Sequence, residues 1–116
     1  MSGSETAVPA GAMEWVYSKD AANGTVLALK ADELGSRVFN ITMGKLVRPQ
    51  ELADALQTVV PGAKVRIETP AGTAVSLPDM IASSDLSRAQ SVLGYKPQFD
   101  LVDALRDMAA WMRDRR

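Results

Sequence analysis

Residues 37–56 constrain the fold of this 116-residue chain more than any other stretch. The segment RVFNI is rich in β-branched and aromatic residues, which are typical of a strand. Pro49 follows a short loop and stands where the first turn of a helix accepts proline. Leu52, Leu56 and Val59 then recur at helical spacing. A strand that runs through a loop into a helix is half of a βαβ unit, and such loops commonly line ligand crevices in α/β folds.

The rest of the chain predicts further short strands and helices, so the predicted fold class is α/β. Strands are predicted at residues 14–18, 37–41 and 64–68. Helices are predicted after an N-cap at Asp20, at residues 49–60, at residues 86–93 and after an N-cap at Asp100. The last helix carries Leu101, Leu105, Met108 and Met112 at the spacing of a packed face.

Single residues refine these predictions. Gly24 weakens the first helix by roughly 1 kcal/mol relative to alanine, which indicates a close approach to a neighbour. Arg48 occupies the N-cap position of the 49–60 helix, where it is a poor capping residue. Either Ser84 or Asp85 caps the 86–93 helix, and Gly94 ends it.

Composition excludes several kinds of site. The chain has no histidine and no cysteine, so the common nucleophile–base pairs and the imidazole or thiolate metal sites cannot form. The sequence contains neither a G-x-x-x-x-G-K-[ST] loop nor a G-x-G-x-x-G turn. We therefore predict no catalytic residue, no cofactor-binding residue and no metal site in the chain. A complete small enzyme that uses lysine or carboxylate chemistry is the weakest alternative.

Charge and hydropathy predict which kinds of partner the chain binds and where in the cell it is found. The net charge is −1 and no concentrated basic patch is visible, so we expect no nucleic-acid partner. No apolar run approaches the roughly 20 residues of a membrane span, so we expect no membrane partner. Residues 1–12 lack the charge and apolar core of a signal peptide, and we predict a flexible lead-in followed by one domain at 13–116. Since cysteine is absent, the chain is compatible with a reducing compartment, and we predict a cytoplasmic location.

Three segments together resemble the C-terminal part of the NAD-dependent epimerase/dehydratase family, the extended short-chain dehydrogenases. They are EWVYSKDAA, RVFNITMGK and DLSRAQSVLGYKPQFDLVDALRDMAAWM. The resemblance covers about residues 13–113. Full-length members of that family combine an N-terminal Rossmann domain, which binds NAD(P), with a smaller C-terminal domain that grips the substrate, often a nucleotide sugar.

The resemblance implies a small, three-layer-like domain of short strands with packed helices, without the Rossmann half. The Gly-x-x-Gly-x-x-Gly fingerprint and the Ser plus Tyr-x-x-x-Lys set of the family are absent from the chain. The resemblance, without these motifs, implies a chain that is not catalytically competent alone. NAD(P) is then the cofactor of a full-length relative. Tyr17, Asn40 and Arg66 are the substrate-proximal candidates for a small-molecule substrate. A separated portion would expose apolar faces, so the expected partners are a second copy or a chain that carries a Rossmann domain.

Four positions depart from the family pattern. Ser18 replaces a buried valine, Thr42-Met43 replaces a Gly-Thr pair, and Arg48 replaces a serine N-cap. The segment beginning at Thr69 replaces an Arg-x-Gly-Asp segment that grips phosphates, and Arg66 lies just before it. The departures at Ser18, Met43 and Thr69 favour an alternative function, a stand-alone binding or regulatory module that kept the fold and lost the chemistry.

Overall fold

The structure, a computed structural model, describes residues 5–8, 11–32, 38–68 and 82–115. Its elements, in chain order, are β1 (Thr6–Val8), β2 (Met13–Glu14), α1 (Ser18–Lys30), β3 (Leu46–Val47), α2 (Pro49–Val59), β4 (Val65–Ile67), a π-helical turn (Ala89–Leu93) and α3 (Leu101–Asp114). β1 pairs with β4, and β2 pairs with β3. The predicted α/β class, with short strands and packed helices, is confirmed.

The chain divides into two compact units, each made of separate segments. Unit 1 contains residues 1–13, 47–80 and 101–116, and unit 2 contains residues 14–46 and 81–100. The predicted boundary between a lead-in and a domain at residue 13 stays a prediction. Within that lead-in, Thr6–Val8 form β1, and Val8 is buried.

Unit 1 is built from β1, β4, α2 and α3. The two strands run parallel, with Thr6 opposite Val65 and Val8 opposite Ile67. Helix α2 packs against both strands and against α3. The core of the unit consists of small apolar residues: Val8, Ala12, Val47, Ala53, Ala55, Ala104 and Ala109. Among the described residues, no helix is long and apolar enough to cross a membrane.

Helix α2 begins and ends where its sequence predicts. Pro49 is the first helical residue, and the backbone N–H of the N-cap residue Arg48 donates to the Glu51 carboxylate at 3.2 Å. That carboxylate also lies at the positive end of the helix. The helix ends at Val59, and the turn that follows contains Gly62 with a φ of 84°, a conformation that glycine adopts without strain.

Unit 2 is built from α1, the 38–46 loop and the π-helical turn. Four buried residues form its core: Leu86, Ala89, Leu93 and Tyr95. Residues of α1 and of the loop pack against them: Leu27, Ala28, Ala31, Phe39 and Ile41. Asp85 rather than Ser84 caps the turn, because the Ser87 N–H donates to Asp85 Oδ1 at 2.8 Å. This hydrogen bond lowers the pKa of the Asp85 carboxyl, and Gly94 ends the turn at a φ of 69°.

The prediction for residues 14–31 is wrong at its beginning. The strand is limited to Met13–Glu14, and α1 begins at Ser18 with Tyr17 as its N-cap. Asp20 therefore lies inside the first helical turn, where it is 3% exposed. Its carboxylate accepts hydrogen bonds from residues 98 and 99 instead of capping its own helix. A tertiary contact has overridden the local capping preference.

The predicted strand at 37–41 is not a strand in the described residues 38–41. Its side chains nevertheless alternate as those of a strand do: Phe39 and Ile41 pack on the core of unit 2, whereas Val38 is 70% exposed. A ladder needs a neighbouring strand, and neither of the two described sheets includes this segment. By contrast, the strand predicted at 64–68 is confirmed as β4, and the helix after Asp100 is confirmed as α3.

Gly24 makes the close approach that its place in α1 indicates. A Cβ atom at this position would lie 2.7 Å from Ile41 Cγ2 and 3.0 Å from Ile41 Cδ1. Ile41 is β-branched and stiff at χ1, so its side chain cannot easily turn away. The glycine therefore lets α1 lie against the loop.

Gly24→Ala is expected to lower the free energy of unfolding by about 1–2 kcal/mol. Overpacking costs about 1–3 kcal/mol, and it outweighs the gain of about 1 kcal/mol in helix propensity. Urea denaturation measures the change, with Asn23→Ala as a matched control at the exposed neighbouring position, where only propensity changes. A Gly24→Ala variant as stable as the wild type would contradict the close packing.

Candidate functional site

The most connected polar group of unit 2 is the carboxylate of Glu14. Its Oε1 accepts a hydrogen bond from Thr42 Oγ1 at 2.8 Å and one from the Ser84 N–H at 3.0 Å. Its Oε2 accepts the Ser84 hydroxyl at 2.6 Å. We call Glu14, Thr42 and Ser84 the Glu14 cluster. It joins three segments that are far apart in the sequence.

The Glu14 cluster holds its carboxylate in the ionised form. Burial by itself raises the pKa of Glu14, but the hydrogen bonds from Ser84 and Thr42 outweigh burial, and the pKa lies below its usual value. Hydrogen bonds to the charged form favour that form. A carboxylate held by this many donors is a poor proton acceptor, so the cluster has a structural role rather than the role of a general base.

Tyr95 contacts the backbone of Thr42, a residue of the Glu14 cluster. Its side chain is fully buried, and its hydroxyl donates to the Thr42 carbonyl at 2.8 Å. Burial, with a smaller effect of the Asp20 charge, raises the pKa of the Tyr95 hydroxyl above its usual value. The hydroxyl therefore remains protonated at neutral pH and acts as a fixed donor.

A second structural carboxylate, Asp20, holds the segment that precedes α3. It accepts the Gln98 N–H at 2.9 Å and the Phe99 N–H at 3.2 Å. Asp20 lies in the first turn of α1, where the helix dipole stabilises negative charge. Two charge-assisted hydrogen bonds and the dipole together explain how a carboxylate is tolerated at a buried position.

The structure assigns contacts to the three predicted substrate-proximal residues. Tyr17 packs its ring on Phe99, with ring centroids 4.9 Å apart. Asn40 is exposed, and its Nδ2 donates to the Asp85 carbonyl at 3.1 Å. Arg66 is exposed on β4, and its Nε lies 2.8 Å from Glu5 Oε1. Tyr17 and Asn40 belong to unit 2 and Arg66 to unit 1, and their role toward a substrate stays a prediction.

The described residues do not fit the diphosphate of NAD. Diphosphates bind at helix N-termini that are free of negative charge, but all three long helices carry a carboxylate in the first turn: Asp20, Glu51 and Asp103. Gly44 has a φ of 81°, yet the space beside it is filled by Leu86, whose Cδ1 would lie 2.9 Å from an added Cβ. No group of three or more metal-ligating side chains occurs in the described part of the chain.

Unit 1 contains an open apolar cleft of about 410 Å³. It lies beside the last turn of α2, the beginning of β4 and one side of α3, and we call it the α2–α3 cleft. Its lining side chains are Thr6, Leu56, Val59, Val60, Pro61, Ala63, Lys64, Val65, Leu105, Met108, Ala109 and Met112. Sequence periodicity located the α3 residues of this face but not the cleft itself.

Three of the residues that organise unit 2 were not singled out from the sequence as parts of a site. The sequence predicts Glu14 as part of a strand, Asp20 as a helix cap and Tyr95 as part of a family motif. Their partners lie 70, 78 and 53 residues away in the chain, respectively. The sequence does carry one signal, since Glu14, Asp20 and Tyr95 all lie in the segments that carry the family resemblance.

Comparison with known proteins gives matches only at the level of structure. The sequence matches no family model and no curated protein. The UDP-glucuronic acid 4-epimerase of Bacillus cereus, solved with UDP-glucuronic acid and NAD, is 18% identical with a TM-score of 0.76. That match covers 98% of this chain and 37% of the epimerase chain.

Two further solved structures agree. A partial-consensus L-threonine 3-dehydrogenase is 29% identical with a TM-score of 0.75, over 97% of this chain and 38% of that one. A UDP-glucose 4-epimerase of Stenotrophomonas maltophila, solved with NAD and formylated UDP-arabinopyranose, is 24% identical with a TM-score of 0.72, over 96% of this chain and 35% of that one. The predicted resemblance to the C-terminal part of extended short-chain dehydrogenases is confirmed in the fold. The chain spans little more than a third of these relatives.

Proposed function

We propose that this chain is the substrate-domain portion of an NAD-dependent nucleotide-sugar epimerase or dehydratase, and that it is not catalytically competent alone. The observation that supports the proposal is that 96% or more of the chain matches little more than a third of the chains of two nucleotide-sugar epimerases. The hydride chemistry belongs to NAD, and the described residues offer no site for its diphosphate. The cofactor half is therefore supplied by a Rossmann domain, and a cytoplasmic location is part of the same proposal.

The loop at 38–41 supports a partner that carries a Rossmann domain. Its sequence has strand character, and its side chains alternate, with Phe39 and Ile41 toward the core and Val38 exposed. The exposed side chain of Val38 adds apolar surface to this loop. A Rossmann-domain partner would remove that surface from water.

The substrate side of the proposal rests on Tyr17, Asn40 and Arg66. Tyr17 offers an aromatic ring, and Asn40 offers an amide within the strand-like 38–41 loop. Arg66 offers an exposed guanidinium, which is suited to a phosphate. The ion pair with Glu5 is on the surface and contributes little to stability, so a phosphate can replace it at small cost.

Titration of the chain with UDP-glucuronic acid, followed by amide chemical shifts, tests this role. Saturable shifts are expected at Tyr17, Asn40 and Arg66, and Arg66→Ala is expected to weaken binding by about tenfold or more, the size of a charge-assisted hydrogen bond. Arg113→Ala, an exposed arginine on α3, is the matched control and leaves binding unchanged. Binding that is equal in both variants would contradict the role of Arg66.

The second candidate function is a stand-alone binding or regulatory module. It is favoured by the hydrogen bond from Asn40 to the Asp85 carbonyl, because this side chain then serves the fold itself. On this hypothesis the chain shows no response to UDP-glucuronic acid, and its mass and stability are unaffected by a Rossmann-domain chain. Any saturable response to the nucleotide sugar favours the first function.

A further inference from the structure

The α2–α3 cleft has the size and lining of a small-molecule site. Small-molecule sites have volumes of about 300–1,000 Å³ and predominantly apolar walls, and this cleft measures about 410 Å³. Met108 and Met112 form one wall, and each is 43% exposed. Methionine side chains adapt their shape to a bound group. Since these side chains contact solvent, a ligand that covered them would gain hydrophobic free energy.

The positive charge at the cleft favours a ligand with a negative charge. Lys64 is the charged residue in the lining, and the lining contains no aspartate or glutamate. The nearby carboxylate of Glu5 pairs with Arg66 instead. Within the described ranges, Lys64 makes no ion pair. The cleft therefore combines an apolar wall with one cation that is open to a negatively charged group.

We propose that the α2–α3 cleft binds a small amphipathic anion, an aliphatic carboxylate whose chain lies on Leu56, Met108 and Met112 and whose carboxylate meets Lys64. None of the proposed substrate residues, Tyr17, Asn40 and Arg66, lines this cleft. It requires no NAD and no Rossmann partner, so it can be tested independently of the proposed function.

A second copy of the chain is a less suitable occupant of this face. The lining contains no aspartate or glutamate, so a two-fold pairing of this face on itself would cover Lys64 without a carboxylate partner. Burying a charge without a partner is costly. Asp107 and Asp114 offer no such partner, because they lie on the side of α3 opposite Leu105 and Met112.

Decanoate titration of protein with ¹³C-labelled methionine methyl groups tests the proposal. Saturable shifts are expected for Met108 and Met112, with Met13 and Met43 as internal controls because they lie outside the cleft. Lys64→Gln is expected to weaken decanoate binding about three- to fivefold, whereas decanol, which has no charge, binds both proteins equally. Lys45→Gln, an exposed lysine outside the cleft, is the matched control.

Three outcomes would overturn the site. They are shifts of equal size at all four methionines, decanoate affinity that is unchanged by Lys64→Gln, and an absence of saturation below the micelle concentration. Light scattering on the same samples addresses the other occupant. If the Met108 and Met112 signals move on protein dilution while the mass halves, the cleft is an interface between two copies and the ligand proposal is wrong.

Discussion

Tyr95→Ala is expected to lower the free energy of unfolding by about 3–5 kcal/mol, as truncation of a large buried aromatic residue does. Tyr95 is fully buried among Leu86, Ala89 and Leu93. Its removal leaves a cavity, and it also leaves the Thr42 carbonyl without the hydroxyl that donates to it at 2.8 Å. The total stability of a small domain is about 5–15 kcal/mol, so the loss is a large fraction of it.

Tyr95→Phe separates the contribution of ring packing from that of the hydroxyl hydrogen bond. It keeps the ring and removes only the hydroxyl, so the expected loss is about 1 kcal/mol. Urea denaturation in a Trp111→Phe background follows unit 2 through Trp15 alone, since the chain has two tryptophans. Equal losses for Tyr95→Ala and Tyr95→Phe would mean that the ring contributes nothing by packing, which would contradict the core described for unit 2.

Glu14→Gln is expected to lower the free energy of unfolding by about 2–3 kcal/mol. The substitution replaces hydrogen bonds to a charged group with weaker ones, and it places an amide donor against the Ser84 donors. The bonds involved are those from Thr42 at 2.8 Å and from Ser84 at 2.6 and 3.0 Å. Glu51→Gln is the matched control, because the Glu51 carboxylate accepts one exposed hydrogen bond, from the Arg48 N–H at 3.2 Å. Chemical denaturation at pH 7 measures both variants.

The Glu14 carboxylate also makes the free energy of unfolding depend on pH, and the direction follows from its pKa. The pKa of Glu14 in the folded protein lies below its ordinary value of 4.5, so the folded state binds the proton less readily than the unfolded state. Its stabilising contribution is therefore fully present above pH 4.5 and is lost as the pH falls through the folded pKa. The difference in stability between wild type and Glu14→Gln is expected to shrink over that acidic range. A difference that stays constant from pH 7 to below the folded pKa would contradict the charge-assisted role of the cluster.

The positions of α2, the π-helical turn and α3 were predictable from the sequence because local signals determine them. Pro49 and the turn at Gly62 bracket α2, and Gly94 ends the π-helical turn with a positive φ. The apolar spacing of Leu101, Leu105 and Met108 located α3. In each of these elements the residues that begin or end the helix lie within a few positions of it.

Long-range contacts were not predictable, because their partners are remote in the chain. Asp20 has the sequence signature of a cap, but its carboxylate holds the backbone of Gln98 and Phe99. Glu14 reaches Ser84 across 70 residues. No periodicity or capping rule joins positions so far apart, and a single sequence carries no other measure of proximity.

The 38–41 loop also depends on contacts that its local sequence does not specify. Its β-branched and aromatic residues predict a strand, and two of them, Phe39 and Ile41, pack on the core of unit 2. Its strand was not confirmed, since strand formation depends on a neighbour that the two described sheets do not provide. This loop is the part of the structure that most directly motivates a Rossmann-domain partner.

Calorimetric titration of the purified chain with NAD tests the central claim most directly, namely that the chain is a substrate-side portion without a cofactor site. A full-length UDP-glucose 4-epimerase titrated under the same conditions serves as the positive control. The account predicts no saturable heat with NAD for this chain, because carboxylates occupy the first turns of α1, α2 and α3. Saturable binding of NAD with a dissociation constant in the micromolar range would contradict it.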